Sequence, residues 1–197
     1  MRHVRLVLCR HTQTQHNLEG RISGAREHAV LNDTGLEQAR ILTAQLKFMC
    51  PRPVAIISSD LVRTAQVAAI ISPSLGDLPV QADKRLREVD VGTIGGMLKK
   101  DAAAAFPEPH HRTFAPDYDF RDIGGESRDE VIERQIAAFR DTLVEHGWPT
   151  CSHPLSVIVV GHGTALRTML GHLGTGLTLH AQGEYQVILV TDATLAL

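Results

Sequence analysis

Four side chains in this chain suit one piece of chemistry, although they lie far apart in sequence: Arg10, His11, Arg63 and His162. An arginine offers a planar fork of donors matched to phosphate oxygens, and a histidine supplies either a nucleophilic ring nitrogen or a charged donor. Two of each around one point make poor metal chemistry. Arginine cannot coordinate, and no Asp, Glu or Cys stands at ligand spacing beside either histidine. They suit a phosphoryl group, whose transfer needs mainly positioning and stabilisation of charge on its equatorial oxygens. No metal and no cofactor is expected, and the Gly-rich dinucleotide and P-loop signatures are absent. Each residue also has a plainer explanation taken singly. A loop histidine is most often a surface or capping residue, and Arg63 could simply pair with Asp60. Cys9-Arg10 does not make a cysteine phosphatase, which needs an Arg six positions after the Cys where Gln15 stands.

What lifts the four residues above those explanations is the elements that must carry them. Val4 to Cys9, Val54 to Ile57 and Leu155 to Val160 are short β-branched apolar runs that read as buried strands. Shorter strands are expected at Pro79 to Ala82 and Tyr185 to Val190. Helical spacing runs from Thr34 to Met49, from a Ser58 or Ser59 cap to about Ile71, and through Leu166, Met169, Leu170 and Leu173 to a stop at Gly174. Ser127 to Glu130 is a capping box opening a long helix with Ile132, Ile136, Phe139 and Leu143 on its apolar face, closed by Gly147 and Pro149. Alternating strands and helices predict a layered α/β domain with a mostly parallel sheet. Arg10 and His11 follow the first strand, Arg63 lies in the first turn after the second, and Gly161-His162-Gly163 follow the strongest. In such a sheet these positions share one edge, beyond the carboxyl ends of the strands, where ligands bind. The stretch from about Thr93 to Gly125, with Pro107, Pro109 and Pro116, breaks the alternation and reads as an insertion over one end of the sheet, within a single domain spanning 1–197.

Composition excludes other classes. With 197 residues, 43% of them hydrophobic and 21% charged, the chain is long enough for a sizeable core and too apolar for disorder. A net charge of −2 gives no footprint for nucleic acid or a membrane surface, and neither is expected as a partner. Cys9, Cys50 and Cys151 are odd in number and form no C-x-x-C pair, which favours a reducing compartment over a disulfide or zinc framework. The N-terminal apolar run ends at Cys9, too short for a signal peptide or a membrane span, so a cytoplasmic location is expected. Asn32-Asp33-Thr34 fits a glycosylation sequon but is expected to be a turn into a helix.

At its polar residues the chain resembles the histidine phosphatase superfamily, or phosphoglycerate mutase-like family. The opening LVLCRHTQTQHNLEGRISG is similar to that family's strand followed by R-H-G-x-T, and LNDTGLEQA to its first helix. SSDLVRTAQVA, LREVDVG, GGES and VVGHGTALR are similar to its later blocks, in the family's order from Val4 to Leu170. The resemblance implies a three-layer α/β sandwich with the insertion over the active-site end, and a phosphohistidine mechanism with His11 as nucleophile. Arg10, Arg63 and His162 would clamp the phosphoryl group, and Glu88 would protonate the leaving oxygen. Asn17, Ser23, Thr12 and Gly163 would complete the substrate-binding set. The activity implied is that of a metal-independent phosphomonoester hydrolase acting on a small phosphorylated metabolite. Alternatives are a cofactor-dependent phosphoglycerate mutase and a non-catalytic domain that binds phospholigands; a homodimer is left open.

Three departures from the family pattern stand out. Thr12 replaces the family's Gly after the nucleophile, and a β-branched residue there is strained if the backbone needs a positive φ. Gly92-Thr93-Ile94-Gly95-Gly96 stands where G-x-W-E-G is usual, and Gln182 stands in a region where many members carry an Asn. Between Glu88 and Glu126 the segment is short, with Arg112 and Arg121 as its only arginines, which disfavours a mutase. Lys99, Lys100, His110 and His111 are expected there as solvated charges.

Overall fold

The computed structural model describes residues 3–26, 28–50, 52–113, 115–150, 155–191 and 194–195, so Cys151 lies outside the described residues. The first strand, β1 (Val4–Arg10), is followed by a five-residue helix α1 (Gln15–Glu19) and a long helix α2 (Asp33–Met49). Next come β2 (Ala55–Ser58), α3 (Val62–Ile71) and β3 (Val80–Ala82). Two short helices, α4 (Lys99–Ala105) and α5 (Pro107–Arg112), precede α6 (Arg128–Glu145), β4 (Leu155–Gly161), α7 (Gly163–His172) and β5 (Tyr185–Val190).

The strands form one sheet in the order β3-β2-β4-β1-β5. β1 and β4, β2 and β4, and β2 and β3 run parallel, while β5 runs antiparallel to β1 at one edge. The parallel strands read as continuous apolar runs because both of their faces are covered. Alternate residues serve opposite sides. Leu6, Leu8, Ile57, Val157 and Val159 pack with Phe139 and Leu143 of α6 and with Leu166 and Met169 of α7. Val7, Cys9, Ile56, Ile158 and Val160 pack with Leu42 and Leu46 of α2 and with Val67 and Ile71 of α3. The result is three layers, with helices on both faces of a mixed sheet. A third apolar cluster, built on Val89, Ile94, Ala102, Phe120, Val131 and Ala165, lies between the 89–125 segment and the starts of α6 and α7.

Local chemistry fixes the element ends. Ser127 Oγ accepts from the Glu130 N–H while the Glu130 carboxylate accepts from the Ser127 N–H at 2.7 Å, the capping box expected for α6. Asn32 is the N-cap of α2 and accepts from the Gly35 N–H at 2.8 Å, so the sequon is the expected turn. α3 differs from expectation. Its N-cap is Leu61, with no side-chain cap, and Ser59 Oγ, two residues earlier, instead accepts from the Leu61 N–H at 3.3 Å.

Register brings the site together. Arg10 lies opposite Gly161 in the β1–β4 pair, and Ser58 lies opposite Val160 in the β2–β4 pair. Three strands therefore end at one level, and the chain just beyond each of them carries a site residue.

Candidate active site

His11 is the first residue past β1. Its N–H donates to the Gly161 carbonyl at 2.9 Å, tying it to the end of β4. Its ring Nδ1 lies 2.8 Å from the Thr12 carbonyl oxygen, and since a carbonyl can only accept, Nδ1 carries the proton. The lone pair is left on Nε2. Burial pushes its pKa down to about 3, and the Arg63 and Arg10 charges push the same way against the Thr12 hydrogen bond. The ring is neutral and nucleophilic at physiological pH.

His162 stands opposite, its ring centroid 5.3 Å from that of His11. Arg63 Nε donates to His162 Nδ1 at 3.2 Å, which puts the proton of the neutral ring on Nε2. That Nε2 is buried and has no hydrogen-bond partner among the described residues. Burial, and then the Arg63, Arg134 and Arg10 charges together with the coupling to the neighbouring His11 ring, hold the pKa of His162 well below its ordinary value. Arg63, 1% exposed on the first turn of α3, also donates from Nη2 to the Gly24 carbonyl at 2.8 Å. Its plainer partner, Asp60, is taken by a bidentate bridge from Arg87 at 2.6 and 2.7 Å.

Arg10 ends β1 and donates to the His180 carbonyl. Its guanidinium lies against Gly163, where an added Cβ would come within 2.9 Å of Arg10 Cζ. Gly163 therefore gives Arg10 its room, and neither Gly163 nor His162 is among the residues that line the cavity described below. Thr12 is wholly buried and its methyl faces Gly183. Nor is it strained, since Asp77 alone among the described non-glycine residues has a positive φ.

Glu88 comes from the loop after β3, and its carboxylate lies at the start of α7. It accepts the N–H groups of Thr164 at 3.1 Å, Ala165 at 2.8 Å and Val89 at 3.0 Å, two of them first-turn donors that a helix leaves unsatisfied. The loop is held by Arg134, which donates to the carbonyls of Arg85, Arg87 and Glu88 at 2.6, 2.8 and 3.2 Å and pairs with Glu126. Glu126, of the GGES motif, is thus committed to the scaffold. No signal in the sequence singled out Arg134.

Arg10, His11, Arg63 and Glu88 line one cavity of about 400 Å³, together with Asn17, Ser23 and Gln182. The Asn17 carbonyl oxygen is spent on capping α1 at Thr14, which leaves its amide NH2 for a ligand. Ser23 Oγ lies 3.4 Å from His16 Nδ1. Sequence reasoning missed Arg21, Tyr118, Arg167 and His180, which also line the cavity, as do Lys99 and His110, expected as solvated charges. Lys99 opens α4 and His110 lies on α5, so these short helices turn part of their charge inward. Cys9, by contrast, is a packed strand residue whose thiol burial holds above its usual pKa. Among the described residues no three His, Cys, Asp or Glu side chains gather as a metal ion would require.

Comparison with known proteins accords with this geometry. The chain is 33% identical over 168 residues to a 2,3-bisphosphoglycerate-dependent phosphoglycerate mutase of Methylobacterium sp. (strain 4-46), covering 84% of this chain and 78% of the relative. It is 34% identical over 165 residues to a metal-independent phosphoserine phosphatase of Arabidopsis thaliana, covering 83% of this chain and 66% of that protein. A mycobacterial glucosyl-3-phosphoglycerate phosphatase, solved in complex with VO3, superposes with a TM-score of 0.79 at 26% identity, covering 93% of this chain and 90% of the other. The relatives thus include both phosphatases and mutases. The family model of the histidine phosphatase superfamily (branch 1) matches residues 6–193, and the chain belongs to that superfamily.

Proposed function

We propose that this protein is a phosphomonoester hydrolase that works through a phosphohistidine on His11. The observation that carries the reading is the tautomer of His11: a buried, neutral ring with Nδ1 tied to a carbonyl and the lone pair on Nε2, in a cavity shared with Arg10, Arg63 and Glu88. In the first step His11 Nε2 forms a bond to phosphorus as the bond to the leaving oxygen breaks. The two arginines and His162 Nε2–H balance the charge on the phosphoryl oxygens. Glu88 gives a proton to the leaving alkoxide. In the second step Glu88, now ionised, takes a proton from water, whose oxygen attacks phosphorus and releases inorganic phosphate and neutral His11. The clamp supplies the positive charge that a metal ion provides elsewhere, so no metal enters this scheme. The substrate is a small phosphorylated metabolite. Two free buried thiols, Cys9 and Cys50, fit a reducing cytoplasm, and no described helix is long and apolar enough to cross a membrane.

A mutase reading is favoured by the Methylobacterium relative and by the cations that line the cavity beyond the clamp. It requires a lid that excludes water while a bisphosphate intermediate turns over. We expect phosphate release from small phosphomonoesters to exceed interconversion of 2- and 3-phosphoglycerate at least about tenfold. Both assays are run with the bisphosphate primer present. Fast interconversion with negligible free phosphate would establish the mutase instead.

A further inference from the structure

We propose that the site continues into a second chamber that reads an anion, and that the natural substrate is a phosphomonoester whose leaving alcohol carries a distal anionic group to Arg128 and Arg167. The inference rests on the hydrolase reading above. A chamber of about 650 Å³ lies beside the clamp cavity, and Thr113, Tyr118, Thr164, Arg167 and His180 line both. The second chamber adds Ala115, Pro116, Arg128, Thr168 and Gly171. The Tyr118 hydroxyl lies 3.0 Å from Thr168 Oγ1, so both hydroxyls are fixed at its wall.

The direction of the reaction points into this chamber. Displacement at phosphorus is in line, so the leaving oxygen departs opposite His11 and toward the residue that protonates it. Glu88 is held by the Thr164 N–H, and Thr164 lines both chambers. A leaving group that exits at Glu88 therefore arrives at the mouth of the second chamber.

Charge indicates what it carries. Arg26, Arg85, Arg87, Arg112 and Arg121 each hold a carboxylate at 2.5–2.7 Å. Arg167 does not: Nη1 donates to the Leu179 carbonyl at 3.2 Å and Nη2 to Thr164 Oγ1 at 3.1 Å, and no described carboxylate lies within ion-pair reach. Arg128 has only a 3.4 Å contact to Asp129, whose side chain is 85% exposed. Among the described residues no carboxylate lines the second chamber. Two cations beside hydroxyls, with neutral acceptors fixing one of them, match a carboxylate or phosphate at the far end of the substrate.

The test is a series of ω-carboxyalkyl phosphates, from ethyl to octyl, each compared with the ω-hydroxyalkyl phosphate of equal length. The ratio of kcat/KM within each pair cancels any loss of folded enzyme. It should be near unity for short tethers and rise to about tenfold or more for long ones, the size of one charge-assisted hydrogen bond. Arg128→Gln should return it to near unity and Arg128→Lys should keep most of it. Arg128→Glu should turn the preference toward ω-aminoalkyl phosphates. A flat ratio at every length, or a rise that survives Arg128→Gln, overturns the proposal. If no ester at all is hydrolysed, p-nitrophenyl phosphate included, the hydrolase reading has failed. Calorimetric affinities of the same pairs then supply the ratio, and equal affinities reject the chamber independently.

Discussion

Each ring nitrogen of the two site histidines has a task set by what the other nitrogen touches. Thr12 O fixes the proton on His11 Nδ1 and leaves Nε2 to attack, while Arg63 Nε fixes His162 with its proton on Nε2. Glu88 is placed by three N–H groups that all point at its oxygens. We expect Glu88→Gln to slow hydrolysis of alkyl phosphates by about 10²–10⁴-fold and that of p-nitrophenyl phosphate far less, because a nitrophenolate leaves without a proton. A glutamine also turns an NH2 group toward backbone donors, so the comparison is made between substrates at matched folded fraction. Equal losses on both would remove Glu88 from the acid role. Arg10, His11, Arg63 and His162 were legible because each sits at or directly beyond a strand end or in a first helical turn. Tyr118, Arg167 and His180 were not: Tyr118 lies in the proline-broken stretch before α6, Arg167 is on α7 away from the strand end, and nothing periodic in the 173–184 loop that carries His180 says where this loop folds. It is drawn in by Arg10 and Arg167, which donate to the carbonyls of His180 and Leu179.

At the scale of elements, the start of α7 serves two site groups at once. Its first N–H groups hold Glu88, and its first residue, Gly163, gives space to Arg10. Gly163→Ala should therefore displace the Arg10 guanidinium from a Cβ only 2.9 Å away, with a cost of about 1–3 kcal/mol in stability. Activity should fall by about 10²-fold, since a clamp residue shifted by an ångström loses its alignment. Phosphate affinity and thermal unfolding of the variant check both parts, and unchanged kinetics would mean that Arg10 needs no such fit. The long elements were legible from period and caps: α2 from its apolar spacing, α6 from Ser127 and Glu130, β4 from its unbroken apolar run. The short ones were not. α1 buries no residue, so it shows no period, and α4 begins where the Lys99 N–H meets the Gly20 carbonyl, a contact far off in sequence. The scaffold under Glu88 was hidden for the same reason: Arg134 reaches carbonyls 46 to 49 residues away.

For the whole molecule, burying two neutral histidines ties stability to pH. The unfolded chain takes up a proton on His11 below about pH 6.5, whereas the native ring does so only near its pKa of about 3. The unfolded state thus binds more protons in that window, and the unfolding free energy falls as pH drops from about 6.5 toward about 3. His162 adds a term of the same sign. The His11 ring contributes a slope of up to about 1.4 kcal/mol per pH unit, so His11→Asn should make the profile measured by urea unfolding less steep between those limits. A profile with the same slope in the variant would mean that His11 is charged in the native state. The sheet, its layers and the edge that holds the site followed from the alternation of strands and helices. What the two arginine-lined chambers accept depends on side chains that meet only after folding. The most direct test of the account is rapid quench of the enzyme with a radiolabelled phosphomonoester, followed by peptide mapping. An acid-labile, alkali-stable phosphoryl group on His11 is predicted, absent in His11→Ala along with at least about 10³-fold of the rate. A label on another residue, or a His11→Ala enzyme of near-full activity, would contradict it.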